Sequence, residues 1–213
     1  SSSRRNLELV ETLREKQKRG SLLWVLDKTR TAMGARLLRT YVEQPLIEKA
    51  EIIKRQKLIE ALNANEITRD ESREYLNPIY DLERLITRIT YQSANPRDLI
   101  AFRDSLKMLP PIKQQLSDIP CELTDEINEE FDELKDIYEL LLSSIEDEPP
   151  ISQRDGDIIK AGYNEEVDRL RDAKTKGKTW LAELEAGERE KTGIKNLRIK
   201  YNKVFGYYLE VTN

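Results

Sequence analysis

The sequence predicts an all-α protein, an elongated set of helices that ends in one β-hairpin. Charged residues make up 36% of the 213 residues, and 8 glycines and 8 prolines are the few helix breakers. Several segments carry apolar residues at helical spacing, whereas the segment after Gly193 alternates apolar and polar residues. A mean hydropathy of -0.69 fits helices that are well exposed to solvent.

The first helices are predicted from apolar spacing and from the positions of prolines. Apolar runs begin at Leu22, extend from about Ala32 to Gln44, and continue from Ile52 to Leu62. Pro45 should end the second run, because proline cannot continue a helix. Asn77 followed by Pro78 predicts a new helix, since Asn caps a first turn and proline is tolerated within it.

A similar signal starts the next predicted helix at Asn95 and Pro96. Asp98 then lies in the first turn, where the helix dipole favours a carboxylate. Pro110 and Pro111 should close this helix. The sequence therefore predicts one helix between the two proline sites.

The most regular apolar period lies near the middle of the chain. It predicts one continuous helix whose inner face consists of Ile127, Phe131, Leu134, Tyr138, Leu141 and Ile145. Thr124 is the predicted N-cap of this helix. The stretch from about Glu146 to Gly162 is rich in proline, glycine and short polar residues, which predicts a loop.

A long helix and a hairpin are predicted after this loop. The helix starts near Tyr163 and runs for about 28 residues, or ~42 Å, with Lys174 and Gly177 interrupting its apolar stripe. The hairpin strands meet at a turn from Asn202 to Gly206. One face carries Leu197, Ile199 and Tyr201, and the other carries Arg198, Lys200 and Asn202.

The residue inventory argues against most enzyme classes. The chain has no histidine, which removes the commonest general base and metal ligand, and Cys121 is its single cysteine. Gly177-Lys178-Thr179 lacks the upstream glycine of a phosphate-binding loop. The acidic residues between Asp125 and Glu133 are better explained as a solvated helix face, and Arg154 to Asp157 as a turn.

The hairpin region is basic within an acidic chain. From Glu188 to Asn213 there are six basic residues and three acidic ones, while the whole chain has a formal net charge of -4. Such a patch suits phosphate contact. It is equally the composition of the solvent face of an ordinary two-stranded unit, and charge alone favours that simpler interpretation.

Four segments carry a resemblance that charge alone does not provide. They are GSLLWVLDKTRTAMGARLLRTYVEQPL, IYDLERLITRI, ANPRDLIAFRDSL and EREKTGIKNLRIKYNKVFGYYLEVT. Together they resemble the MutS family of DNA mismatch repair proteins, in family order and from Arg4 to Thr212. The resemblance implies that residues 1–187 form the helical core or lever domain and residues 188–213 the first part of the clamp domain.

The resemblance also implies which residues meet DNA. In this family the clamp tip approaches the DNA backbone, and the matching positions are Lys200, Asn202, Lys203, Val204, Phe205 and Gly206. Lys203 is the first choice as a phosphate ligand, with Lys200 near it. Contacts of this kind set position and affinity without reading the base sequence.

The remaining implications concern the full-length protein. The ATPase domain would lie outside this chain, so the chain is expected to be no enzyme and to hold no cofactor, with ATP and Mg²⁺ bound only in the full-length protein. The implied partners are double-stranded DNA including mismatched DNA, a second MutS subunit in a bacterial homodimer, and a MutL-type repair protein. The implied location is the bacterial cytoplasm, associated with the nucleoid, with no membrane partner.

A second hypothesis is a helical protein-interaction scaffold that does not contact DNA. In that case the hairpin would pair with the sheet edge of another protein. Salt-dependent DNA binding by the complete protein would distinguish the two hypotheses.

Overall fold

The computed structural model describes residues 5–204 and 206–211 of the chain. Within these residues helices dominate, and the strands pair as one antiparallel hairpin. This confirms the predicted fold class. The chain divides into two compact units, the first ending at Ile158 and the second beginning at Ile159.

The first unit is built from short and medium-length helices. It contains α1 (Leu22–Leu26), α2 (Ala32–Glu43), α3 (Lys49–Ala64), α4 (Glu66–Leu76), α5 (Leu82–Thr90), α6 (Pro96–Leu106), α7 (Leu109–Ser117), α8 (Glu122–Glu130) and α9 (Lys135–Ser144). The predicted runs near Leu22, Ala32 and Ile52 are therefore confirmed as helices. Pro45 follows Gln44, the C-cap of α2, as predicted.

The start of α6 agrees with the sequence in detail. Asn95 accepts a hydrogen bond from the backbone of Asp98 at 2.9 Å, and the Asp98 carboxylate accepts one from the backbone of Asn95 at 3.0 Å. This reciprocal pair is a capping box, and it satisfies backbone donors that a helix start leaves unpaired. Pro96 occupies the first turn, where its missing N–H costs nothing.

The core of the first unit lies around α6, which packs against α5 and α9. Phe102 and Leu106 from α6 and Leu141 from α9 are buried. Ser105 is fully buried and polar, yet it is satisfied, because its hydroxyl donates to the preceding helical turn and accepts from the backbone N–H of Tyr80 at 3.0 Å. Apolar burial therefore fixes the position of α6 relative to its neighbours.

The helix predicted to start at Asn77 and Pro78 starts later. Asn77 is the C-cap of α4, and α5 begins at Leu82. Its N-cap is Asp81, which accepts from the N–H of Arg84 at 3.4 Å and also binds Arg36. The prediction was wrong because the aspartate has both a backbone and an arginine partner, whereas Asn77 ends the preceding helix and starts none.

The two prolines at 110 and 111 do not close a helix. Helix α6 ends at Leu106, and Pro110 and Pro111 lie in the first turn of α7, which begins at Leu109. Proline is tolerated at both places, since the first-turn N–H groups have no partner within the helix. The two prolines therefore mark the start of a helix, and the prediction that they end one was wrong.

The helix predicted from Ile127 to Ile145 is also not continuous. It breaks between α8 and α9, where Leu134 adopts a left-handed conformation with φ of 50°. The Asp132 carboxylate accepts the N–H of Leu134 at 2.9 Å, which stabilises the turn. Thr124, the predicted N-cap, lies inside α8 with its hydroxyl donating to backbone carbonyls, and Cys121 is the N-cap.

The loop after α9 is held to α6 by arginines. Arg103 Nη1 lies 2.5 Å from Asp147 Oδ1, and Arg97 Nε donates to the carbonyl of Pro149 at 3.2 Å. A short 3-10 helix follows at Gln153–Asp155. The predicted loop is confirmed, and its proline-rich start is fixed by charge-assisted hydrogen bonds.

The second unit consists of one long helix and the hairpin. Helix α10 spans Glu165–Thr192, and strands β1 and β2 span Leu197–Asn202 and Gly206–Val211. Asn164 caps α10, and Gly193 ends it in the left-handed conformation that glycine adopts most easily. The domain boundary implied between residues 187 and 188 lies within α10, and it stays a prediction.

Candidate nucleic-acid interface

The hairpin presents two different faces. Its strands pair Leu197 with Val211, Arg198 with Glu210, Ile199 with Leu209, Lys200 with Tyr208, Tyr201 with Tyr207, and Asn202 with Gly206. Since opposite residues of an antiparallel pair share a face, one face is apolar and aromatic and the other is charged. This register confirms the alternation predicted from the sequence.

The tip of the hairpin is exposed and shaped by a side chain. Asn202 Oδ1 accepts the N–H of Val204 at 2.8 Å, which stabilises the turn, and Gly206 has a positive φ of 77°. Lys203 is exposed and Val204 is 80% exposed. Phe205, also predicted at this tip, lies outside the described residues. The tip therefore presents the Lys203 ammonium group to solvent.

Lys200 lies on the charged face but is already paired. Its Nζ lies 2.5 Å from Glu210 Oε2, diagonally across the two strands. The hydrogen bond to Glu210 raises the pKa of Lys200 above its ordinary value. A phosphate at Lys200 would thus compete with Glu210, whereas among the described residues Lys203 has no ion-pair partner.

Two residues of α10 hold the hairpin. Arg189 Nε donates to the carbonyl of Leu197 at 2.7 Å, and Glu185 Oε2 accepts the N–H of Ile199 at 2.8 Å. Arg189 and Glu185 also pair with each other at 2.5 Å. Together the two side chains bind the outer edge of β1 and fix the hairpin alongside the helix.

The charge of the hairpin region is therefore not spread evenly. Arg189 is used to hold β1, and Lys191 pairs with Glu188 at 3.1 Å. With Lys200, which pairs with Glu210, three of the six basic residues counted from the sequence thus serve contacts within this unit. Lys203 is the exposed cationic group of the tip, and Arg198 is exposed near the start of β1, opposite Glu210.

The packing of the hairpin against α10 was not predicted from the sequence. It forms a cleft of about 490 Å³ whose lining includes Lys178, Leu181, Ile199 and Tyr207. The Tyr207 ring packs against that of Tyr201, with centroids 5.0 Å apart. The available signal was Glu185 and Arg189, four residues apart on one helix face and followed by Gly193, which allows the chain to reverse.

Across residues 5–204 and 206–211, no three acidic or cysteine side chains gather where a metal ion could bind. In the same part of the chain, no helix combines the length and the apolar character needed to cross a lipid bilayer.

Comparison with known proteins identifies the family. The family model for MutS domain III matches residues 2–205, nearly the whole chain. The chain belongs to the MutS domain III family. This match includes α10, β1 and the predicted tip residues Lys200 to Phe205, with Gly206 directly after it.

Three relatives of this MutS domain III chain are named DNA mismatch repair protein MutS. The protein from Lachnoclostridium phytofermentans is 67% identical over the whole chain, and that from Caldanaerobacter subterraneus subsp. tengcongensis is 56% identical. The protein from Geobacillus kaustophilus is 47% identical over 99% of the chain. The chain spans only 23 to 24% of the length of these relatives.

Proposed function

We propose that this MutS domain III chain is the lever segment and first clamp segment of a DNA mismatch repair protein. The hairpin contacts the DNA backbone without reading sequence, and α10 couples that contact to an ATPase domain elsewhere in the complete protein. The observation that carries the proposal is Lys203, an exposed cation at the tip of a hairpin held on a long helix, with no ion-pair partner among residues 5–204 and 206–211. The names of the relatives support the repair role.

The chemistry of the tip suits phosphate. A lysine ammonium is a compact point charge, and its binding to a phosphate releases counterions whatever the base sequence. Asn202 preorders the turn that presents Lys203, so less conformational entropy is lost on binding. The contact would therefore position the protein on duplex DNA and leave mismatch recognition to other parts of it.

The mechanical part of the proposal rests on α10. Its 28 residues would span ~42 Å at ~1.5 Å per residue. Because Arg189 and Glu185 bind the edge of β1, the hairpin and the end of the helix move together. A displacement at one end of the helix is thus transmitted to the tip, which a coupling between DNA contact and ATP binding requires.

In the complete protein this segment would work with several partners. ATP and Mg²⁺ would bind in the ATPase domain, and a second MutS subunit would complete a homodimer around the DNA. A MutL-type protein would act on the DNA-bound form. The complex would lie in the cytoplasm at the nucleoid.

Charge reversal at the tip tests the proposal. In a complete protein carrying this segment, Lys203→Glu should weaken binding to matched and mismatched duplexes by the same factor, with DNA-independent ATP hydrolysis unchanged. Lys57→Glu, at an exposed lysine of α3, is the matched control and should leave affinity unchanged. Unaltered affinity in Lys203→Glu would favour the protein-interaction scaffold, and selective loss of mismatch binding would assign the tip a recognition role.

A further inference from the structure

The middle of α10 is a second basic surface. From Ala173 to Ala182 the helix carries three lysines and no acidic residue. Lys174 and Lys178 are exposed and one turn apart, and neither forms an ion pair with a described residue, whereas Lys176 lies 4.0 Å from Asp172. The sequence alone favoured interpreting this stretch as a helix interruption. Its position relative to the hairpin indicates a binding surface instead.

The hairpin runs back along the C-terminal part of α10. Leu197 is hydrogen-bonded to Arg189, and Ile199 is hydrogen-bonded to Glu185. An advance of two residues along the strand therefore corresponds to four residues along the helix in the opposite direction. The two lengths agree, because two strand residues rise by roughly 6.6 Å and four helix residues by roughly 6 Å. Extended by four more strand residues, this spacing leads from Ile199 to Lys203 and from Glu185 to Gly177. The lysines of α10 are therefore level with the hairpin tip.

The lysines also lie on the side of α10 that faces the hairpin. Lys174, Gly177, Lys178 and Leu181 are spaced as i, i+3, i+4 and i+7, which places them on one helix face. Lys178 and Leu181 line the same cleft as Tyr207 of the hairpin. A Cβ added at Gly177 would meet no atom of the described part of the chain within 4 Å, so this face of the helix is open there.

The hairpin tip and the middle of α10 are both basic. Lys203 is exposed at the tip, and residues 173–182 contribute three lysines and no acidic residue, in a chain of net charge -4. Arg198 and Lys200 lie on the other face of the hairpin, together with Glu210. We infer that Lys174 and Lys178 bind the DNA backbone together with Lys203, so that the interface spans two elements. This inference rests on the proposed function of the hairpin. The repeating phosphates of a duplex, one charge per ~1.7 Å, suit such an extended surface.

The salt dependence of DNA affinity tests this inference. In a complete protein carrying this segment, Lys174→Ala with Lys178→Ala should lower the slope of log K against log salt by about 1.8, which is ~0.9 for each lost contact. The affinity loss between 50 and 200 mM salt should then be about twelvefold smaller than in the unmodified protein. Alanine maintains helix propensity, so α10 should stay intact.

Two controls accompany this measurement. Lys174→Arg with Lys178→Arg retains both charges and should retain the slope. Lys49→Ala with Lys57→Ala removes two exposed lysines of α3 and should also leave the slope unchanged. Circular dichroism of the 213-residue chain should show equal helix content in all variants.

The outcomes separate this inference from the proposed function. An unchanged slope in the α10 variant, with a reduced slope in Lys203→Ala, would overturn the inference and leave the hairpin contact standing. A reduced slope in the α10 variant alone would retain the α10 contact and overturn the role of the tip. An unchanged slope in both would contradict both, and binding of an acidic protein by the same lysines would then be the explanation of their charge.

Discussion

Lys200 Nζ lies 2.5 Å from Glu210 Oε2 on the charged face of the hairpin. The pair is diagonal, because Lys200 lies opposite Tyr208 and Glu210 lies opposite Arg198. Long side chains reach across such a diagonal. The carboxylate of Glu210 therefore balances one of the cations that would otherwise bind phosphate, and the hairpin contains its own competitor for DNA.

Removing this competitor should strengthen DNA binding. In a complete protein carrying this segment, Glu210→Gln frees the Lys200 ammonium and should raise affinity about two- to fivefold at low salt, the scale of a surface ion pair. Fluorescence anisotropy with a labelled duplex measures this change. Glu190→Gln makes the same charge change at an exposed position of α10 and is the control. Equal affinities for the Glu210 and Glu190 variants would contradict a phosphate contact at Lys200.

The attachment of the hairpin to α10 should depend on Glu185. Glu185→Ala removes the acceptor of the Ile199 N–H, so the outer edge of β1 loses one hydrogen bond, and it removes the ion-pair partner of Arg189, the other residue that binds this edge. We expect the Ile199 amide to exchange with solvent at least about fivefold faster, since a single hydrogen bond contributes roughly 1 kcal/mol. Hydrogen exchange measured by NMR gives this rate. Glu183→Ala, at an exposed position of the same helix, should leave the rate unchanged.

The predictions from the sequence were strongest where local chemistry decides the structure. Asn95 and Asp98 cap α6 with each other, so their spacing alone was sufficient. Asn77 has the same sequence signal as Asn95, but Asp81 caps α5 because Arg36, 45 residues earlier, binds its carboxylate at 2.7 Å. A partner so distant in sequence leaves no local signal.

Apolar spacing had a different limit. The period through Phe131 and Leu134 continues across the break between α8 and α9, since two helices that pack on one core can share one period. The hairpin itself was predicted from its alternation, as was the tip at Lys203. Its packing along α10 was not, because Arg189 and Glu185 bind backbone groups, and the spacing of the two side chains does not indicate which backbone groups these are.

Low pH should lower the stability of the first unit, because it protonates Asp27. The hydrogen bond from Lys18, helped by Thr29, lowers the pKa of Asp27 from 3.8 to about 2. A carboxylate whose pKa is lowered by folding stabilises the fold at pH values above its pKa in the unfolded chain. This contribution is lost as pH falls from about 4 toward 2. Asp27→Asn should therefore show a smaller fall in its urea midpoint over this range than the unmodified chain. Glu15→Gln, at an exposed position, is the control and should show the same fall in urea midpoint as the unmodified chain. The same fall in Asp27→Asn would contradict a contribution of this ion pair to stability.

The salt dependence of DNA binding by Lys203→Ala and Lys200→Ala tests the backbone-contact account most directly. The sequence alone predicts that the double variant lowers the slope of log K against log salt by roughly 1.8, with equal shares. The ion pair with Glu210 predicts unequal shares: about 0.9 for Lys203→Ala and less for Lys200→Ala, on matched and mismatched duplexes alike. A slope that Lys203→Ala leaves unchanged, or a double variant that loses mismatch discrimination while retaining its affinity for matched DNA, would contradict the account.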